Sequence, residues 1–300
     1  MKQWKKLLAV FMAGAILITG DVLPQESAAA ESAVDYSIRN PRVDNGVTTW
    51  DKIKFGSYYQ DAEVQPEPIK WRVLSVDGDD AFLLADQILD AKPYNEKQED
   101  VTWETCTLRE WLNKNFYNEA FNDEEKKAVI ETVVVNENNP VCNTEGGNDT
   151  KDKVYLLSIA EASDATYGFD TEFTELTESS KTRRAKNTDI AKVNNVWSST
   201  YDGTVGVGYW WLRSVGCLSN NALYVDYDGC GNDFGYSVNY GKFGVRPALH
   251  INLSSSEVED AGEVDSEGNV TMLDNGISNP VVKNGVTTWD CVYFGNYRQN

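Results

Sequence analysis

The chain has 300 residues, 41% of them hydrophobic and 11% aromatic, which is ample material for a core. Its 47 acidic side chains outweigh 27 basic ones, for a formal net charge of −20 at pH 7. A surface of that sign repels phosphate backbones and anionic lipid, so nucleic acid and membrane surfaces are poor partners.

The first thirty residues read as an export signal. Lys2, Lys5 and Lys6 precede an apolar run from Leu7 to Thr19 that is too short to span a bilayer comfortably, and Ala28, Ala29 and Ala30 supply the small residues a signal peptidase needs. Cleavage is expected after Ala30, leaving a secreted or cell-surface chain that starts at Glu31. No Cys follows the run to carry a lipid, and no later segment is apolar enough for a membrane helix. No membrane insertion is therefore expected after cleavage.

The chain repeats itself. Asn40-Pro41, then Asn45-Gly46-Val47-Thr48-Thr49-Trp50-Asp51 and Phe55-Gly56, recur 239 residues later at Asn279-Pro280, Asn284 to Asp290 and Phe294-Gly295, with 14 identities over the 21 positions from Asn40 to Gln60. A period this long belongs to whole domains and not to solenoid units. The expected organisation is a signal peptide at 1–30, a domain at 31–253, an acidic linker at 254–275, and the opening stretch of a second copy at 276–300.

Within the domain, Ile53 and Phe55, then Ile69 to Leu74, then Ala81 to Leu84 read as strands, and Asp77-Gly78 signals a hairpin between the last two. Thr107 to Glu110 has the form of a capping box, followed by Leu108, Trp111, Leu112 and Phe116 at near-helical spacing. A second helix is expected from Asp123 to Ile130, a loop from Asn136 to Lys153, and a buried strand at Val154 to Leu157. Ser158 to Glu161 repeats the capping-box pattern. The basic cluster Lys181, Arg183, Arg184, Lys186 and Lys192 reads as a solvated, salt-bridging face in preference to an anion site. Strands follow at Ala222 to Tyr227 and Tyr236 to Tyr240.

Four cysteines, Cys106, Cys142, Cys217 and Cys230, fall in the complete domain and allow three connectivities; Cys291 falls in the partial copy. Cys217 and Cys230 are the preferred pair, because the segment between them reads as turn, strand and turn. There is no Cys-x-x-Cys spacing and His250 is the only histidine, so neither a metal nor another cofactor is expected.

Trp210-Trp211-Leu212-Arg213-Ser214 and the closing Gly244-Val245-Arg246-Pro247-Ala248-Leu249 resemble the end of the C-type-lectin-like superfamily that includes the formylglycine-generating enzymes. More closely, residues 45–253 resemble a bacterial extracellular domain family of unknown function, typical of Gram-positive gut anaerobes, through Phe55-Gly56, Trp71 to Leu74, Thr105 to Leu112 and Asp152 to Val154. The resemblance implies an α+β, C-type-lectin-like (formylglycine-generating-enzyme-like) fold with a small irregular antiparallel sheet, flanking helices and long loops. It makes Trp210, Trp211, Arg213 and Arg246 framework residues, with the rings in the core and the arginines on buried acceptors.

Two function classes follow. Between Tyr201 and Phe243 tyrosines mix with Gly, Asn, Ser and Asp, a mixture that gives contact area at little entropic cost. Tyr224, Asp226, Tyr227, Asp228, Asn232, Asp233, Phe234 and Tyr236 are accordingly expected to form a non-catalytic face for an extracellular protein or glycan. The alternative is an extracellular enzyme, either an oxidase related to the formylglycine-generating enzymes or a carbohydrate hydrolase. The oxidase needs two closely spaced cysteines that this chain lacks, while a hydrolase needs only two carboxylates. The loop from Asp226 to Asp233 reads as a glycine-assisted turn, since it lacks the spacing of a calcium loop.

Overall fold

The computed structural model describes residues 38–61, 65–173, 180–271, 281–283 and 286–288. The expected signal peptide and Cys291 lie outside them. Strand β1 (Arg42–Asp44) turns through Asn45-Gly46 into β2 (Val47–Tyr58). Both turn residues are left-handed, with φ of 49° and 77°, the geometry that matches the twist of a two-residue hairpin. The ladder between β2 and β3 (Glu67–Asp77) shifts between Lys54 and Ser57. Gly56, inside that shift, has a φ of +68°, and a Cβ on it would stand 2.5 Å from the Phe121 ring. Glycine here bends the strand and admits Phe121 to the core, which gives the repeated Phe-Gly pair a structural reason.

Strand β3 folds back at Gly78 into β4 (Asp80–Ala85), the hairpin that Asp77-Gly78 predicts. After β5 (Asp90–Ala91), helix α1 (Thr107–Trp111) is capped one residue earlier than expected. The Cys106 sulfur accepts from the Arg109 amide at 3.4 Å, while the Thr107 hydroxyl accepts from the Glu96 amide at 3.0 Å. Leu108, Leu112 and Phe116 are buried on one face, as their spacing predicts. The chain continues through a wide turn into α2 (Tyr117–Ala120), and α3 (Glu125–Ala128) ends early. The β-branched residues that follow form β6 (Val129–Ile130), whose amides find partners on an open sheet edge.

Strands β7 (Thr132–Val134) and β8 (Thr150–Asp152) clasp the root of the Asn-rich loop. The second capping box forms as read: the Glu161 amide donates to Ser158 Oγ at 3.1 Å and the Ser158 amide to Glu161 Oε2 at 2.8 Å. Helix α4 (Asp189–Val193) is capped by Thr188. Strands β9 (Trp210–Val215), β10 (Asn221–Val225), β11 (Gly231–Ser237) and β12 (Gly244–Val245) join β5 in a five-stranded sheet of order β11-β10-β9-β12-β5. Strand β13 (Ala248–Asn252) returns the chain to the first sheet, which β14 (Glu259–Asp265) and β15 (Val270–Thr271) extend beyond β2. Its order is β15-β14-β2-β3-β4-β13-β6, with β1 also on β2.

One core runs between these sheets, and Trp50, Trp71, Trp103, Trp210 and Trp211 are almost wholly buried in it. Four of the five indoles keep a hydrogen bond, such as Trp71 Nε1 to the Phe55 carbonyl at 2.7 Å. Arg246 is fully buried, donating to the carbonyls of Ala85 and Arg183 with its guanidinium 4.9 Å from the Trp210 ring. Arg213 forks onto Glu161, with Nη2 to Oε1 at 3.0 Å, and donates to the Leu156 carbonyl at 2.8 Å.

Three expectations are corrected. The architecture is mostly β, 37% strand against 14% helix, in place of α+β, and no C-type-lectin-like fold is shown. The α-helices are short, α1, α2, α3 and α4 having four or five residues each, while sequence-distant strands build sheets of eight and five. The disulfide joins Cys142 to Cys217, with Cα atoms 5.1 Å apart, and not Cys217 to Cys230. Those two sit at opposite ends of β10, a five-residue strand, so roughly 17 Å of extended chain separates them. Finally, residues 259–265, expected in a linker, form β14 and pair with β2.

The partial copy shows the same strand pairing. Strands β16 (Val281–Lys283) and β17 (Val286–Thr288) pair Val281 with Thr288 and Lys283 with Val286. That is the register of Arg42 with Thr49 and Asp44 with Val47 in the first copy.

Candidate recognition face

Strand β9 is buried along its whole length, so β10 beside it and β11 at the sheet edge carry side chains that reach solvent. Tyr224 on β10 and Tyr236 on β11 meet edge to face, 6.2 Å apart. Both pack on Phe243, at 4.6 and 5.3 Å, which is itself completely buried and rests 4.5 Å from Trp211. A core aromatic thus supports a row of half-exposed ones.

The row extends past the residues expected from the sequence. Tyr240 lies 4.7 Å from Tyr236, and Trp197, 38% exposed, lies 5.0 Å from Tyr240. In the other direction Tyr209 contacts Tyr227 at 5.7 Å and Tyr227 contacts Tyr201 at 5.8 Å. Backbone bonds hold the strands of this face together. The Trp197 amide donates to the Lys242 carbonyl at 2.8 Å, the Tyr209 amide to the Trp197 carbonyl at 3.0 Å, and the Gly244 amide to the Tyr209 carbonyl at 2.7 Å. Such rings lose little side-chain freedom when a ligand binds.

The β10–β11 turn closes one end. Asp226 Oδ1 accepts from the Asp228 amide at 3.1 Å, and Asp228 Oδ1 from the Cys230 amide at 2.8 Å, two successive Asx turns. Gly229, with φ of +88°, passes so close to the Ser180 carbonyl that a Cβ would lie 1.8 Å from it. The two carboxyl groups are also hydrogen-bonded to each other. Burial, the bond to Asp228 and its charge push Asp226 up to about 8. Burial works against the Asp228 charge as well, but the bonds from Asp226 and from Cys230 outweigh it and hold Asp228 low. Near pH 7 the pair therefore keeps one proton. Burial and then the Asp226 carboxyl raise the hydroxyls of Tyr209 and Tyr224, so these remain donors well above neutral pH.

Of the eight residues expected to bind, Tyr224, Asp226, Tyr227, Asp228 and Tyr236 converge. Asn232 spends its amide oxygen on the Phe234 and Gly235 amides, at 3.1 and 3.2 Å. The Asp233 carbonyl accepts from Asn139, at 3.1 Å, tying down the Asn-rich loop. Phe234 is 64% exposed and stands apart from the rings. Trp197, Tyr201, Tyr209 and Tyr240 were missed, although the aromatic density of that stretch was their signal. His250 is engaged elsewhere, 2.7 Å from Asp80 and stacked on Phe82.

Residues 78–253 match the model of a domain of unknown function, DUF6273, and the chain belongs to that family. The match opens at the β3–β4 turn and ends before β14, so the repeated motif lies outside it. No curated protein and no solved structure matches the chain.

Proposed function

We propose that the domain is a secreted or surface-exposed, non-catalytic module that recognises a glycan through the aromatic face. The observation that carries this reading is the supported ring row from Trp197 to Tyr201, closed by two carboxyl groups and tyrosine hydroxyls. Flat, half-exposed rings suit the apolar faces of sugar rings, and the flanking oxygens suit their hydroxyls. The export signal read in residues 1–30 fits such a role.

On this face, a hydrolase would draw on Asp226 and Asp228. Direct hydrogen bonding between them leaves no space for the roughly 5 Å or more that separates glycosidase carboxylates. The oxidase alternative needs adjacent thiols, whereas Cys217 is bridged to Cys142 and Cys230 lies at the far end of β10.

The test is a glycan array probed with the full chain, followed by calorimetry on any hit. Binding to a neutral oligosaccharide that falls at least tenfold in Trp197→Ala and Tyr236→Ala, with thermal stability kept, supports the reading. Absence of any glycan hit, with a protein ligand captured on the same face, would replace glycan by protein; unchanged binding in both variants would reject the face.

A further inference from the structure

A second feature, away from the ring row, concerns charge. Strands β2 and β3 set Lys52 directly opposite Arg72, and Lys54 directly opposite Lys70. Like charges at such positions repel, and pairing rules would select against them. The fold does not demand them either, because the second copy has Cys291 where the first has Lys52 and Tyr293 where the first has Lys54.

Lys52, Lys70 and Arg72 line a cleft of about 630 Å³ that runs between the two strands and the segment 181–186, under the turn joining β14 to β15, while Lys54 pairs with Glu259 at 3.3 Å. Six cationic side chains face it, against the carboxylates of Asp86, Asp265 and Glu267. That excess is the reverse of the chain's net charge of −20. One of the carboxylates is already committed, with Glu267 bound to Lys181 at 2.7 Å.

The deepest part is the least balanced. Lys52 and Arg72 are only 3% and 7% exposed, and both lean on the same carboxylate, Asp86, at 3.6 and 2.7 Å. Fully buried Arg246 adds its field to the same group. Three buried cations thus share one anion, an arrangement that costs free energy until another anion arrives. Burial accordingly lowers Lys52, with Lys70 and Arg72 acting in the same direction and Asp86 against them. Next to the cleft, sharing Lys70 and Gln87 with it, a smaller pocket is lined by Asn187. That side chain is 2% exposed, and neither its oxygen nor its nitrogen has a hydrogen-bond partner. Buried amides seldom stay unsatisfied.

We infer that this cleft is a binding site for an organic oxyanion, a ligand bearing a carboxylate, sulfate or phosphate group that sits against Lys52, Lys70 and Arg72 while its polar body reaches Asn187. The volume is that of a ligand site and several times that of an inorganic anion. This site is independent of the aromatic face. The basic cluster expected as a solvated face is divided accordingly. Arg183 is buried on four carbonyls and Lys192 pairs with Asp189 at 2.7 Å, while Lys181, Arg184 and Lys186 line the cleft.

Calorimetry on the full chain with inorganic sulfate, inorganic phosphate and a trimer of galacturonic acid separates the sources of the charge. The trimer is expected to bind at least tenfold more tightly than either ion, and to weaken at least fivefold between 50 and 500 mM NaCl. Lys70→Gln with Lys186→Gln, both exposed, should reduce affinity at least tenfold and leave the melting temperature unchanged, whereas Trp197→Ala should leave this affinity alone. A phosphorylated or sulfated sugar binding in place of the trimer, with the same loss in the double variant, supports the site and changes only the group it carries. No binding of any of these probes below 10 mM, or wild-type affinity in the double variant, overturns the inference.

Discussion

Replacing Glu161 by Ala should be among the most destabilising single changes in the domain. Its carboxylate closes the capping box with Ser158 and is the counter-charge of Arg213, whose side chain is 4% exposed at the heart of the second sheet. Removing it leaves a buried guanidinium on the carbonyls of Leu156 and Val135, with Nε already unpartnered. Breaking a buried pair from one side costs about 3–5 kcal/mol, and the capping bond adds about 1 kcal/mol. Against a typical stability of about 5–15 kcal/mol the variant approaches unfolding. Glu161→Gln keeps an oxygen for the Ser158 amide and should lose about half as much. Urea denaturation followed by tryptophan fluorescence reads both losses, with a constant slope showing that the unfolded state has not changed. Adding Arg213→Met to Glu161→Ala should recover part of the loss, because no charge is then left buried alone. A loss under about 1 kcal/mol in Glu161→Ala, or strict additivity in the double variant, refutes the reasoning.

Reduction of the Cys142–Cys217 bridge, which spans 75 residues, should cost about 4 kcal/mol by loop-closure entropy. Melting with and without reductant should then differ by roughly 10 °C, while Cys230→Ser leaves the oxidised melting point nearly unmoved. At the turn, Asp226 is raised from 3.8 to about 8, so its stabilising contribution is complete below about pH 4 and is lost as the pH rises through about 8. Asp226→Asn keeps the acceptor for the Asp228 amide and escapes that loss. Its advantage over the parent should grow from nothing at pH 4 to about 1–2 kcal/mol at pH 8.5, after discounting for solvent around the pair, in parallel denaturation series. A chain cut at 253, the end of the family match, would expose the edge of β2 and lose the Glu263 pairs with Arg39 and Arg42. It should aggregate at concentrations where a chain ending at 271 is monomeric by light scattering.

Local signals were legible where a feature is closed by neighbours in sequence. Asp77-Gly78 gave the β3–β4 turn, Ser158 and Glu161 their reciprocal bonds, and Leu108, Leu112 and Phe116 their buried stripe. Features closed at long range were not. The partner of Cys217 depends on where the Asn-rich loop docks, and Asn139 settles that by donating to the carbonyls of Val215 and Asp233. The acidic run from Glu259 to Asp265 looks like a tether until β2 offers its free edge. The cationic cleft needs the β2–β3 register, which sets Lys52 against Arg72 only once the Gly56 irregularity is known. Three of the seven rings in the row were legible from composition, and the backbone bonds at Lys242 and Gly244 bring in Trp197 and Tyr209.

The strand that replaced the linker has a consequence for spacing. With β15 ending at Thr271 and the next strand pair opening at Val281, only nine residues, 272–280, join the two. A connection of that length reaches at most about 35 Å. Consecutive copies joined over so few residues would meet a long polymer at neighbouring positions, and the second contact would form at an effective concentration in the millimolar range. Weak single-site affinity would then suffice for firm attachment to a chain-like ligand and would give little hold on a small soluble one.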